Sequence, residues 1–115
     1  MSWNPKEAKE VLDRSHKVIF VRSVKKIAGY KFKSGRELVL SIENLTQVTL
    51  YVSRIPYNMI DVEFITKYMP TTLRSGRNAD INAVCPSLGY DQKAYSIKIN
   101  NEIALKCFLD WYQYA

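Results

Sequence analysis

Hydrophobic and polar residues alternate with a period of two along much of the chain, a pattern typical of β-strands with one buried face. The stretch Tyr30-Lys31-Phe32-Lys33 places aromatic rings and lysines on opposite faces, and residues 38–42 resume the alternation after Ser34-Gly35. Ser-Gly is a favourable sequence for a tight turn. Residues 29–42 are therefore predicted to form a β-hairpin with its aromatic and aliphatic side chains inward.

Four further segments show strand patterns. Val18–Val21 is a continuous apolar run, which favours a strand that is central in its sheet or covered on both faces. Residues 48–53 and 95–99 alternate regularly. Residues 62–68 are compatible with two turns of helix, but their alternation favours a strand.

Both ends of the chain carry helix signals. Asn4 suits an N-cap and Pro5 the first helical position, so a helix is predicted from there to about His16. Asn100-Asn101 provides a cap for a last helix, whose predicted buried face is Leu105, Phe108, Leu109 and Tyr112. The prediction is one α+β domain over residues 1–115, with an antiparallel or mixed sheet of four to six strands and a helix at each chain end.

The formal charge of +6 is concentrated in one segment. Eight basic residues and no acidic residue lie between Arg14 and Arg36, and the regions before and after that segment each carry a net charge of −1. Lysines protect sheet edges from aggregation, but charges of mixed sign would serve solubility with less self-repulsion. A segment of one sign attracts polyanions and raises their encounter rate.

The leading hypothesis is a nucleic-acid-binding module in which this segment contacts phosphates. Stacking of bases on Tyr30 or Phe32 is not expected, because strand alternation places those rings on the face opposite the lysines. The candidate contacts in the segment are Arg22, Lys25, Lys26, Lys31, Lys33 and Arg36.

A second candidate phosphate site is the loop 71–80, in which Arg74 and Arg77 bracket Ser75-Gly76. Consecutive N–H groups at a glycine turn form anion-binding nests, and two arginines could clamp a phosphate there. The alternative is a solvated turn in which Asn78 or Asp80 caps a short helix over residues 81–84.

The aromatic C-terminus supports a different hypothesis. Trp111 and Tyr114 fall partly off the buried face of the last helix, and exposed rings favour protein interfaces, although the helix could instead bury them all against the sheet. The alternative function is a small protein-binding inhibitor or adaptor, for example a phage-type inhibitor of a host nuclease. It would dock on an acidic partner surface. Its anchors would be Trp111, Tyr112 and Tyr114 or the loop 54–58, with the basic segment steering encounter.

Catalysis and metal binding have little support in the sequence. His16 is the only histidine, and Cys85 and Cys107 lie 22 residues apart without a CxxC or histidine-rich context, so no catalytic group, metal site or cofactor is predicted. The absence of a long apolar stretch or a secretory leader predicts a cytoplasmic protein with both cysteines reduced. The choice between DNA, RNA and a protein partner, and the oligomeric state, stay open.

Overall fold

The computed structural model describes residues 3–43, 46–70, 80–89 and 91–115, which form an α+β fold. Its six strands make one antiparallel sheet in the order β1-β2-β3-β4-β6-β5. Along the chain the elements are α1 (Pro5–Arg14), β1 (Val18–Val24), β2 (Ile27–Phe32), β3 (Glu37–Ser41), β4 (Val48–Val52), β5 (Val62–Tyr68), α2 (Ile81–Val84), a 3₁₀ helix (Pro86–Leu88), β6 (Ala94–Ile99) and α3 (Glu102–Tyr112). The predicted fold class, with a helix near each chain end, is confirmed.

Both terminal helices begin at the predicted caps. The Asn4 side chain accepts a hydrogen bond from the Glu7 amide at 2.9 Å, and the Asn101 side chain accepts one from the Ala104 amide at 2.8 Å. These bonds satisfy amides that have no partner within the helix. The first helix ends at Arg14 rather than near His16, because Ser15 adopts an extended backbone conformation.

The main core lies between α1, α3 and one face of the sheet, which we call the helical face. The predicted inward side chains of the hairpin, such as Tyr30 and Leu40, are fully buried there. They pack with Leu12 of α1 and with Leu105 and Phe108 of α3. Alternation along the strands therefore identified the core face correctly.

The opposite face of the sheet, which we call the α2 face, is also partly covered. Ile81, Val84 and Leu88 pack there against Ile27 and Val39 in a smaller cluster. This cover explains why β3 is buried along its whole length.

The prediction that Val18–Val21 is a central or doubly covered strand is wrong. β1 is an edge strand, and only Val18 at its beginning is buried. Phe20 keeps one ring edge against Tyr30, with their centroids 5.6 Å apart, but Ile19 and Val21 are exposed. The apolar run has enough β propensity for a strand, while the strand order that leaves it at the edge is set by pairing elsewhere in the sheet.

None of the described helices has the length and apolar character that crossing a membrane requires.

Candidate nucleic-acid interface

The β1–β2 hairpin carries most of the predicted phosphate contacts. Lys25-Lys26 forms the two-residue turn between the paired residues Val24 and Ile27. Lys33 follows the other end of β2, so the lysines at the two ends of this strand are separated by roughly 20 Å at the rise of a β-strand. The hairpin is thus a cationic ribbon at one edge of the sheet.

A β-bulge decides which face Arg22 occupies. Phe20 is paired with Tyr30, but the next paired residue of β1 is Arg22, opposite Gly29. In regular pairing Val21 would lie opposite Gly29, and Arg22 would lie on the helical face. The extra residue instead places Arg22 on the α2 face, because residues directly opposite in an antiparallel pair share a face.

Lys31 lies on that same α2 face. It alternates with the buried residues Tyr30 and Phe32, and it is paired with Ile19 on one side and Glu37 on the other. Arg22 and Lys31 therefore project from one surface of neighbouring strands. The sequence predicted the position of Lys31 but could not reveal the bulge that brings Arg22 beside it.

The ion pairs separate seven of the eight basic residues, all except Arg36, into two groups. Three of them contact carboxylates: Arg14 with Glu10 at 3.7 Å, Lys17 with Asp110 at 2.8 Å, and Lys26 with Glu43 at 3.3 Å. All eleven acidic residues lie in the part of the chain that the structure describes. None of them pairs with Arg22, Lys25, Lys31 or Lys33, which are all exposed.

The pairing of Lys26 does not remove it from the candidate interface. Its side chain and that of Glu43 are both more than half exposed. Such surface pairs contribute little to stability, and salt screens them. Lys26 therefore remains within reach of an anionic ligand, with Glu43 as a competitor.

Arg36 occupies a different environment from the other candidates. Its guanidinium donates to the Ser53 hydroxyl at 3.0 Å and to the main-chain oxygen of Ala115, and it lies 5.1 Å from the centre of the Tyr112 ring. These contacts tie the end of the chain to β4 and to the start of β3. We therefore leave Arg36 out of the proposed ligand contacts.

Arg74 and Arg77 lie outside the described residues, together with Asn78. The short helix expected after them is present as α2, Ile81–Val84. Asp80 occupies its N-cap position, but no hydrogen bond from the helix to the Asp80 side chain is formed.

The two C-terminal aromatic candidates are on different sides of α3. Trp111 is half-buried, packs against Phe108 with ring centres 5.8 Å apart, and lines a groove beside the β4–β5 loop. Tyr114 is 83 % exposed and lies near Ser34 and Gly35 in the β2–β3 turn. The structure therefore does not bring these two rings into one surface.

The sequence indicated Trp111 and the loop 54–58 as alternative protein-binding anchors, but it did not predict the exposed apolar groove that lies between them on one side of α3. It encloses about 570 Å³ between α3 and the β4–β5 loop. Tyr57, Ile60 and Ile103 line it and are among the most exposed apolar side chains of the described residues. The available signal was the spacing of Ile103, Cys107 and Trp111, which forms a second stripe on α3 beside the buried one.

Cysteines and other potential reactive groups are dispersed. Cys85 is buried, and desolvation raises the pKa of its thiol to about 12, so it stays protonated and unreactive at neutral pH. Cys107 is free and exposed. Within the described residues, no three histidine, cysteine, aspartate or glutamate side chains are grouped so that they could hold a metal ion.

Comparisons of this chain with protein-family models, with curated proteins and with solved structures find no match.

Proposed function

We propose that the protein binds nucleic acid through the β1–β2 hairpin, with phosphate contacts from Arg22, Lys25, Lys31 and Lys33. The observation that carries the proposal is that these four exposed cations, three on the hairpin and Lys33 directly after it, have no carboxylate partner. Cations without counter-charges maintain a local positive field, and phosphate backbones are the most abundant polymeric anions that such a field attracts. Lys26 supplements this set.

The proposed contact is to the backbone rather than to the bases. Tyr30 and Phe32, the aromatic residues of β2, are buried under the terminal helices. Phe20 is partly exposed, but it faces away from Arg22 and Lys31 and has the Lys9 ammonium 4.9 Å from its ring centre. With no ring of the hairpin beside these cations, we expect binding that depends little on base sequence.

Salt dependence provides the quantitative test. Four phosphates neutralised on duplex DNA predict that log affinity falls with log salt at a slope of about −3.6, and of about −2.8 on a single strand. Fluorescence anisotropy with labelled duplex DNA, single-stranded DNA and RNA of equal length, between about 50 and 200 mM salt, measures the slope and the preferred form.

A pair of charge-matched variants distinguishes a local site from net charge. Each variant replaces four exposed basic residues with alanine, so both lower the formal charge from +6 to +2. We expect the hairpin variant to lose the salt-dependent affinity and the control to retain most of it. Equal losses in both variants, or retained affinity in the hairpin variant, would overturn the proposal. The hairpin variant changes Arg22, Lys25, Lys31 and Lys33, and the control changes Arg54, Lys67, Lys93 and Lys106.

A second candidate function is docking on an acidic protein surface, and the exposed apolar residues of the same hairpin favour it. Ile19 is 63 % exposed and Val21 is also exposed; a protein interface would bury them, whereas a phosphate backbone would not. Protein binding of this kind would survive about 0.5 M salt, which screens purely ionic contacts. Ile19→Ser would weaken protein binding and leave nucleic-acid affinity unchanged.

A further inference from the structure

β1 forms a free edge of the sheet. Its only partner among the described strands is β2, and no described residue outside this pair is hydrogen-bonded to a main-chain group of Val18–Val24. Three consecutive apolar side chains are exposed along it: Ile19 to 63 %, Phe20 to 45 % and Val21 to 42 %. An edge strand of this kind presents N–H and C=O groups with which another extended chain can pair.

The strand register shows which main-chain groups of β1 point outward. The amide of Phe32, at the end of β2, donates to the main-chain oxygen of Arg36, just before β3, at 2.9 Å. Along a strand these groups point alternately to the two sides, so the even-numbered residues of β2 are directed toward β3. The odd-numbered residues of β2 are directed toward β1, where they are paired with Ile19, Arg22 and Val24.

Phe20 and Ser23 alternate with those inward-bonded residues of β1. Their N–H and C=O groups therefore point away from the sheet. Each of the two residues offers one donor and one acceptor, which is what addition of a strand to a sheet edge requires. Phosphate groups provide acceptors only, whereas an extended polypeptide provides both kinds of partner.

The charges beside this edge favour an acidic polypeptide. Arg22 and Lys31 are exposed on the α2 face, and neither is paired with a carboxylate. A strand added to β1 would place every second side chain on that face, beside Arg22 and two strand spacings, or roughly 10 Å, from Lys31. Its other side chains would lie on the helical face beside Phe20, where apolar residues fit.

We propose that β1 accepts an extended acidic segment of a partner protein as an additional strand, in which carboxylate side chains alternate with apolar ones. The carboxylates contact Arg22 and Lys31, and the apolar side chains cover Phe20. Such pairing gives the protein-docking alternative a specific binding mode, and it does not require nucleic-acid binding.

A second copy of this chain fits the edge poorly. Pairing two β1 strands would bring together two segments that each carry eight basic residues and no acidic residue. Like charges on adjacent strands are destabilising. The bulge between Phe20 and Arg22 also bends the strand, which disfavours long regular pairing but leaves room for a short segment. The opposite edge, β5, carries both Glu63 and Lys67, so it has no comparable preference for one sign of charge.

Fluorescence anisotropy tests the proposal with a labelled peptide that alternates Glu and Val over about ten residues, the length of a long strand. A control peptide of the same composition carries its Glu residues in one block and its Val residues in another, so its charge is equal but its carboxylates cannot all lie on one face. We expect the alternating peptide to bind about tenfold or more tightly than the control. Equal binding of the two peptides, or no binding up to about 1 mM, overturns the proposal.

Substitution of Ser23 separates main-chain pairing from charge. Ser23→Pro removes one outward N–H at an edge position, where proline is tolerated, while Ser23→Ala removes the same hydroxyl and keeps the N–H. With both variants folded by circular dichroism, the proline variant should bind the alternating peptide about tenfold more weakly and the alanine variant should match the parent. Equal affinities of the two variants overturn the proposal. Both variants keep every cation, so their salt slope for nucleic acid should be that of the parent, and the two proposals fail independently.

Amide hydrogen exchange tests the pairing in the unaltered protein. Saturation with the alternating peptide should slow exchange of the Phe20 and Ser23 amides about tenfold or more, because an added strand hydrogen-bonds them. Docking through side chains alone would leave both amides unprotected. Unchanged exchange of these amides in the saturated complex therefore overturns the proposal even where the peptide binds.

Discussion

The hydroxyl of Tyr112 donates a hydrogen bond to the main-chain oxygen of Glu37 at 2.7 Å, which fastens the end of α3 to the start of β3. The same hydroxyl accepts a hydrogen bond at 2.8 Å from the main-chain amide of Ser53, the residue that follows β4. One buried atom thus satisfies polar groups from two strand ends at once. Burial is also the main reason that the pKa of Tyr112 is raised.

Tyr112→Phe should therefore destabilise the fold. The substitution removes the buried hydrogen-bond partner of the Glu37 main-chain oxygen and of the Ser53 amide. We therefore expect the free energy of unfolding to fall by about 1–3 kcal/mol. Urea denaturation measures this free energy. Tyr114→Phe removes a hydroxyl from an exposed ring and should stay within about 0.5 kcal/mol of the parent. Equal effects of the two substitutions would contradict the role assigned to Tyr112.

The bulge in β1 can be tested with an exchange of two residues that leaves the net charge unchanged. Ser23 is opposite Ala28, a buried residue of the helical face, whereas Arg22 is opposite Gly29 on the α2 face. Exchanging the two residues (Arg22→Ser with Ser23→Arg) keeps composition and charge but moves the cation away from Lys31. The salt slope for nucleic acid should become shallower by about 0.9, the contribution of one phosphate contact on duplex DNA. An unchanged slope in anisotropy titrations would show that the face of the hairpin does not matter.

Gly29 is packed so closely against the end of α2 that a larger residue there should destabilise the fold. A Cβ atom at this position would lie 2.2 Å from Val84 Cγ1 and 3.0 Å from Cys85 Sγ, so the chain segment on the α2 face would have to move. Gly29→Ala should cost about 1–3 kcal/mol, as overpacking generally does. Val84→Ala makes room, and the alanine at position 29 should cost less in that background. Strictly additive effects of the two substitutions in denaturation experiments would refute the proposed clash.

Stability should decrease at alkaline pH. Burial raises the pKa of both Cys85 and Tyr51 to about 12, from ordinary values of 9.0 and 10.0. Because the folded state holds these protons more tightly than the unfolded state, their contribution is complete below pH 9 and is lost progressively between pH 9 and pH 12. Cys85→Ala should move the beginning of this decrease to higher pH. Denaturation midpoints that do not change across this range would contradict the assignment.

Local patterns in the sequence determine much of this fold. Alternation identified the inward residues of β2 and β3, and asparagine caps located the starts of α1 and α3. Both features depend on residues close together in the chain, where periodicity and capping chemistry act. The edge position of β1 is not local, since it follows from the pairing of all six strands.

The candidate sites also depend partly on local sequence and partly on tertiary contacts. The clustered charges indicated the hairpin, but Arg36 contacts Ala115, which is 79 residues away along the chain. No local sequence pattern predicts that contact. The apolar groove depends on a left-handed conformation at Asp61 and on its bond to Asn101, 40 residues later. Tertiary contacts of this kind determine which side chains remain available to bind a ligand. The sequence alone could therefore identify the candidate cations, but it could not distinguish the unpaired ones from those with partners in the fold.

The position of β6 between β4 and β5 has a consequence for how the chain acquires its structure during synthesis. The first four strands form a meander of neighbouring segments that can assemble as they emerge from the ribosome. Among the described strands, β5 is paired with β6 alone, which follows it by 26 residues. Until residues 94–99 have been synthesised, Phe64 and Ile65 lie in a segment that has no strand to pair with. Unpaired apolar segments of this kind bind chaperones and are prone to aggregation. The nascent chain is therefore most vulnerable in the interval between the synthesis of β5 and that of β6.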